Sequence, residues 1–225
     1  MLRHIIEATE GQVCAYKFNL AHFEALGWEG VELLYCVRKM LPDDVLIIAD
    51  AKRGDIGSTA RQYAEALYGK LNADSATVNP LMGRDSAEPF LAWTDRLTFF
   101  LVLTSNPGAG DFLLQDGLYE RIAESVVRWN GSGNCGFVAG ATRPEQLSGL
   151  RAGAPGVPFL VPGVGAQGGD LAASLQHGGG TKRDGSVILH VTRGILLGKQ
   201  DEGDVRDIIR RKVEHWNQLV EEACR

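Results

Sequence analysis

Val45-Leu46-Ile47-Ile48-Ala49 runs straight into Asp50-Ala51-Lys52-Arg53-Gly54-Asp55-Ile56-Gly57-Ser58-Thr59. The apolar run predicts a strand buried on both faces, and the burst of charge and glycine behind it predicts a polar opening at the strand's carboxyl end. On an extended strand residues two apart share a face, so Asp50 and Lys52 point the same way, with Asp55 in the loop beyond. A carboxylate on each side of an ammonium would hold Lys52 protonated. That arrangement suits delivery of a proton to a carbanion; taken alone, the same pair also fits a solvated ion pair at a strand rim.

The same rhythm continues in both directions. Strands are predicted at 13–18, 45–49, 75–78, 97–103, 135–139, 157–161 and 187–191. Helices are predicted between them at 22–40, 58–71, 118–129, 144–151 and 171–177, and Asp85-Ser86-Ala87-Glu88 reads as a capping box opening another. A last helix shows one apolar face of Val205, Ile208, Ile209, Val213, Trp216, Leu219 and Val220. Strict alternation with apolar strands means a parallel sheet covered by helices, either open and doubly wound or closed into a barrel. Polar, glycine-bearing segments follow nearly every strand, which favours an α/β fold of the (β/α)₈ TIM barrel type with its site at the strand ends. Seven βα units are visible where eight are wanted, so the expectation is one barrel domain over residues 1–225 whose first strand is missing.

Composition narrows the function. A chain of 225 residues, 44% hydrophobic with 28 glycines, is of a size for one globular core with many loops. Its formal charge of -5 gives no general attraction to nucleic acid or anionic membrane, so any anion must be met locally. Cys14, Cys36, Cys135 and Cys224 are scattered without a Cys-x-x-Cys pair, as expected of free thiols in a reducing compartment. His190, inside an apolar run, reads as a satisfied interior or interface residue and not as a metal ligand. The apolar run at 97–103 is too short to cross a bilayer, and Met1-Leu2-Arg3-His4-Ile5-Ile6-Glu7 reads as amphipathic helix. A cytoplasmic protein with neither nucleic-acid nor membrane partners is expected.

Near the carboxyl end, Pro162-Gly163-Val164-Gly165-Ala166-Gln167-Gly168-Gly169-Asp170 contains Gly-x-Gly-x-x-Gly. A dinucleotide fingerprint would follow the first strand of its fold, whereas only one strand remains after this one. In a barrel, the last loops and the helix beginning there form a phosphate pocket, and Arg193 just after the final strand can add a forked charged donor. A purely structural glycine turn is the bland alternative.

Together, Asp50-Ala-Lys-Arg-Gly-Asp-Ile-Gly-Ser-Thr, Asn79-Pro-Leu-Met-Gly-Arg-Asp-Ser, Thr104-Ser-Asn-Pro-Gly, Gly140-Ala-Thr and the glycine segment at 162–170 resemble the orotidine 5′-phosphate decarboxylase family, particularly its bacterial, type 2-like branch. The resemblance runs from about Val13 to Leu197. It implies that Lys52 protonates carbon six of the pyrimidine, that Asp50 flanks the departing carboxylate, and that Lys17 completes the charge array toward the ribose. It implies that Asp55, Ile56 and Thr59 reach the neighbouring subunit's site in a homodimer. Ser105 would bond the ring amide, Gln167 would bridge the phosphate loop to the substrate, and Pro162, Gly165, Arg193 and Gly194 would complete substrate binding, the last three at the 5′-phosphate. Arg84 and Asp85 lean toward a structural or subunit contact. Two departures stand out: the family's first-strand aspartate has no counterpart, and Thr192 stands where a serine often precedes the arginine.

The implied reaction turns orotidine monophosphate into UMP and carbon dioxide without cofactor or metal, so electrostatics must stabilise the carbanion. A Schiff-base aldolase using Lys52 fits poorly, because imine chemistry needs a neutral amine. A magnesium-dependent sugar-phosphate decarboxylase of the same superfamily shares Asp-x-Lys-x-x-Asp; Lys17, the loop at 104–107 and Gln167 favour the pyrimidine. A non-catalytic phosphate-binding barrel is the alternative of another class.

Overall fold

The computed structural model describes residues 1–165, 167–180 and 185–225. Seven strands, β1 (Ala15–Asn19), β2 (Leu46–Arg53), β3 (Ser75–Val78), β4 (Leu97–Leu103), β5 (Cys135–Ala139), β6 (Phe159–Pro162) and β7 (Val187–His190), pair in sequence order. Every pairing is parallel. The helices between them are α1 (Leu2–Thr9), α2 (Leu20–Glu24), α3 (Gly27–Arg38), α4 (Gly57–Ala64), α5 (Arg84–Leu91), α6 (Leu118–Trp129), α7 (Pro144–Gly153), α8 (Leu171–Gly178) and α9 (Val205–Ala223). The result is a nearly closed TIM-type barrel, as the polar segments after nearly every strand implied.

Alternate residues of each strand face opposite ways, and two apolar layers result. Ile48, Phe99, Val138 and Leu160, with Ala15, Leu97, Leu101 and Ile188 against them, fill the barrel interior. Ile47, Ala49, Phe100, Phe137 and Phe159 instead face outward into the larger core under the helices. The parity that sends Ile48 inward also sends Asp50 inward, and likewise Lys17 after Ala15 and His190 after Ile188.

Among the described residues β1 and β7 do not pair, and the sheet is open between them. A cavity of about 770 Å³ opens along this seam, lined by Ile6 of α1, Lys17 of β1, Leu33 of α3, His190 of β7 and Trp216 of α9. The closing contact of the ring is made by helices, with α1 packed on α9.

Local chemistry explains where elements start and stop. The continuous helix expected at 22–40 is two helices, broken where Gly27 adopts φ +69. A Cβ on Gly30 would fall 1.9 Å from the Phe23 carbonyl oxygen, so glycine is what allows α3 to fold back against α2. Asp170 and Asp204 cap α8 and α9 by accepting backbone N–H bonds. The capping box expected at Asp85–Glu88 is absent. Here α5 starts two residues earlier, at Arg84, its N-cap is Gly83 without a side-chain bond, and Glu88 pairs with Arg84 across one turn.

The largest departure from the expected strands is also the most useful one. β2 does not end at Ala49 but continues through Arg53, so Asp50 and Lys52 are strand residues whose backbones are held by their neighbours.

Candidate active site

At the carboxyl end of the barrel Asp50 lies between two ammoniums. Lys17 Nζ is 2.6 Å from Asp50 Oδ2, and Lys52 Nζ is 2.5 Å from Asp50 Oδ1. Thr77 Oγ1 donates to Asp50 Oδ1 at 3.0 Å and accepts the backbone N–H of Lys52 at 2.9 Å. Lys17 and Asp50 side chains are each 9% exposed, whereas that of Lys52 is 48% exposed. The buried pair is therefore the anchor, and Lys52 is the member that reaches the opening.

Lys52 takes its place through an unusual backbone. Its φ is +48, a left-handed value that costs a non-glycine residue roughly 1–2 kcal/mol. The strain coincides with a register shift between Ala49 and Arg53 against β3. This irregularity re-aims a side chain that regular pleating would otherwise place, and the Thr77 hydroxyl holds it there. Thr77 was missed in the sequence reading. Its signal was present in Ser75-Ala76-Thr77-Val78, where hydroxyls recur at the strand period inside an otherwise buried run.

The electrostatics follow from burial and pairing. Burial, the largest influence on Asp50, pushes its carboxyl up, but the charge and hydrogen bond of Lys17 together with those of Lys52 outweigh it and hold the group at about 2. For Lys17, burial pulls the ammonium below its usual value, offset in part by the charge and hydrogen bond of Asp50 and reinforced by Lys52. The two partners thus shift in ways that oppose each other in stability terms. Their 2.6 Å contact supports a charged pair at neutral pH. His190 faces the same group: burial first, then Lys17, lowers it to about 4, with Asp50 opposing and Lys52 adding, so it is uncharged at neutral pH. It bonds Thr192 across 2.8 Å, the satisfied interior role expected of it.

Asp55 is placed otherwise than the sequence reading of a lysine between two acids. Its Oδ1 accepts the N–H of Ile56 at 2.8 Å, and among the described residues it makes no ion pair with Lys52. Within one chain the flanked group is the acid, Asp50, and not the ammonium. The outer side of Lys52 stays open because the chain turns away after Arg53 into α4. Ile56 and Thr59 lie exposed on that turn, outside the Lys17–Asp50–Lys52 cluster.

Across the mouth, the loops after β4, β5 and β6 converge. Ser105 Oγ donates to Gln167 Oε1 at 2.6 Å, and Thr142 Oγ1 donates to the Ser105 carbonyl at 3.1 Å. A Cβ on Gly140 would stand 2.7 Å from Ser105 backbone atoms, which explains the glycine of Gly140-Ala-Thr. Ser105, Asn106, Pro107, Thr142, Arg143 and Gln167 line a recess of about 570 Å³.

The glycine segment after β6 folds on itself. Gly165 N–H donates to Gly169 O at 2.9 Å, Gly168 N–H to Gly165 O at 2.8 Å, and Gly169 N–H to Gly163 O at 3.1 Å. The Gly165 N–H expected to meet an anion is thus engaged within the loop. Ala166 lies outside the described residues. After β7, Ile195 N–H donates to Thr192 O and turns the chain so that Arg193 and Gly194 form the crest beside it. Pro162 is in register with His190, which ties the two strand ends together. Among the described residues no group of three or more His, Cys, Asp or Glu is placed to hold a metal.

Comparison with known proteins places this geometry. Residues 1–208 match the Orotidine 5′-phosphate decarboxylase / HUMPS family. The chain is 42% identical over 229 residues to an orotidine 5′-phosphate decarboxylase of Dehalococcoides mccartyi, spanning 95% of this chain and 84% of that protein. It is 46% identical over 217 residues to one of Haloarcula marismortui, spanning 91% and 75%. Among solved structures it superposes on Leishmania donovani OMP decarboxylase with a TM-score of 0.87 at 37% identity, covering 99% of this chain and 86% of that one. Relatives from bacteria, archaea and a protozoan share the likeness, so it does not single out a bacterial branch.

Proposed function

Because this chain belongs to the orotidine 5′-phosphate decarboxylase / HUMPS family, we propose a division of labour among its residues for that reaction. The chain is a carboxy-lyase that converts orotidine 5′-phosphate to UMP and carbon dioxide, a step of pyrimidine nucleotide synthesis. The bond from carbon six to the carboxylate breaks, carbon dioxide leaves, and the electron pair stays on the ring. Lys52 gives its proton to that carbon. One observation carries this assignment: Lys52 alone of the charged cluster is half exposed at the barrel mouth, while Asp50 and the buried Lys17 fix its ammonium before substrate arrives. A cation already in place is worth more to charge that grows during the reaction than one that must be reoriented.

Ser105 and Gln167, already bonded to each other, face the pyrimidine amide across the mouth. Arg193 and the backbone around Gly165 and Gly194 hold the 5′-phosphate, beyond Pro162 at the end of β6; the N–H of Gly165 itself stays bonded to Gly169 O, so that turn contributes its close approach and not that donor. Binding energy from that remote group sets the carboxylate against Asp50. No step in this scheme calls for a metal or an organic cofactor.

The open side of Lys52 is closed by a second copy. Asp55, Ile56 and Thr59 of one subunit complete the other subunit's site. Ile56 (49% exposed), Leu81 (62%) and Met82 (50%) supply an apolar patch for the contact. The two loops bearing them adjoin, since a Cβ on Gly54 would sit 3.2 Å from that of Asn79. The four cysteines are free, which accords with a cytoplasmic home. No helix among the described residues is long and apolar enough to cross a membrane.

Two measurements test this reading. Orotidine monophosphate added to the protein should lose its ultraviolet band as UMP forms, at the same rate with a chelator present; a static spectrum would leave only a phosphate-ligand binder, and loss of rate with chelator would point to the metal-dependent chemistry. Second, Lys52→Ala and Asp55→Ala homodimers should both be inactive. Mixed and allowed to exchange, they should regain roughly a quarter of wild-type activity, because half the dimers are hybrid and each hybrid holds one intact site. No recovery on mixing, with exchange verified, would place Asp55 in its own subunit's site or outside both.

A further inference from the structure

The two loops assigned to the phosphate lie on neighbouring strands, and both are rich in glycine. Gly163, Gly165 and Gly168 all hold positive φ. Backbone donors on such chain bind an anion well only if something outside the loop fixes them, because glycine loses the most freedom on ordering. One side chain touches both loops. A Cβ on Gly165 would lie 2.9 Å from Cη2 of Trp216 and 3.2 Å from its Cζ2; a Cβ on Gly194 would lie 2.8 Å from its Nε1 and 3.0 Å from its Cζ2. Trp216 belongs to α9, whose Ile209 and Val213 are buried against Ala8 of α1, so the indole is carried on a packed helix and not on a loop.

Resting on the phosphate assignment above, we propose that Trp216 is the positioning residue of the phosphate pocket: its indole, wedged against Gly165 and Gly194, sets the separation of the two anion-binding loops. Glycine is required at both positions because any side chain would occupy the indole's place. At Gly194 this is purely a matter of contact. At Gly165 the φ of +69 adds a backbone reason. The role explains why the last helix of the fold, far from the Lys52 ammonium in sequence, presents its one large aromatic to the strand ends. It predicts that harm at Trp216 is felt by the phosphate and not by the base.

The test compares a nucleotide with its nucleoside, using calorimetric affinities for UMP and uridine on the full chain. Wild type should bind UMP much more tightly than uridine; if it does not, the phosphate assignment itself fails, independently of Trp216. Given that preference, Trp216→Ala should weaken UMP by roughly tenfold to a hundredfold, the scale on which an ångström of misplacement acts. It should leave uridine within about twofold, and Trp216→Phe should restore most of the loss. Should Trp216→Ala fail to fold, Gly194→Ala supplies the second arm. It should weaken UMP by pushing the crest off the indole, and Gly194→Ala with Trp216→Leu should recover part of that affinity by removing the clash. Equal losses for UMP and uridine, no loss for either, or no recovery in the double variant would each overturn the proposal.

Discussion

Lys52→Ala should lower kcat/KM by about 10⁴-fold or more, while UMP still binds close to wild-type strength. The size follows from the two roles the ammonium combines: proton donor and fixed positive charge facing the nascent carbanion. The sparing of UMP follows from geometry. The phosphate and base contacts are assigned to the loops after β4, β6 and β7, which among the described residues make no hydrogen bond or ion pair with the Lys52 side chain, and Asp50 keeps its 2.6 Å pair with Lys17. Steady-state kinetics and UMP titration on one preparation give both numbers. Retention of more than a few per cent of the activity would remove Lys52 from the proton-transfer step.

The second large effect is structural as well as catalytic. Asp50→Asn keeps the shape of the side chain but leaves the Lys17 ammonium, 9% exposed, without its counter-charge. Breaking a buried pair from one side costs roughly 3–5 kcal/mol, and turnover should fall by at least about 10³-fold because Lys52 loses its anchor. The pH dependence separates this from simple loss of packing. The folded Asp50 carboxyl is held at about 2 against an ordinary 3.8, so the stability it contributes is present above pH 3.8 and is lost as pH falls toward 2. That shift corresponds to about 2 kcal/mol. Urea unfolding of the wild type should therefore weaken over this acid window by about that amount more than unfolding of Asp50→Asn. Parallel acid limbs for the two proteins would mean that Asp50 carries no such coupling.

Much of this site could be read from the bare chain, for reasons that differ by residue. Asp50 and Lys52 declared themselves because charge at the end of an apolar strand is expensive unless used. Ser105 and Gln167 were named only through the family resemblance, and Arg193 also through its place just after the last strand; the structure brings Ser105 and Gln167 into a direct hydrogen bond. Thr77 escaped because a hydroxyl inside a short β run is chemically quiet until its register against β2 is known. Trp216 was visible only as one more apolar residue on an amphipathic face, since periodicity says which side of a helix is buried but not what it is buried against. Asp55 shows the opposite limit: local spacing placed it beside Lys52, yet the turn after Arg53 leaves its carboxylate bonded to the Ile56 N–H, and only the motif resemblance assigned it to a second subunit. The strand boundaries were least legible where they mattered most. The Asp50–Arg53 extension of β2 has polar, loop-like composition, and it belongs to the sheet through the pairing of Asp50 with Asn19 and of Arg53 with Val78 on either side of the irregularity at Lys52.

The left-handed backbone of Lys52 has a consequence for anyone improving this protein. Glycine or asparagine tolerates that conformation better than lysine does, and either would also relieve the crowding of two cations around one acid. A library of variants screened for heat resistance alone would accordingly drift toward Gly or Asn at position 52, and its hardiest members would be inert. Directed evolution of a robust version must select for turnover at every round, because here the path uphill in thermal tolerance leads away from the amine assigned to proton transfer.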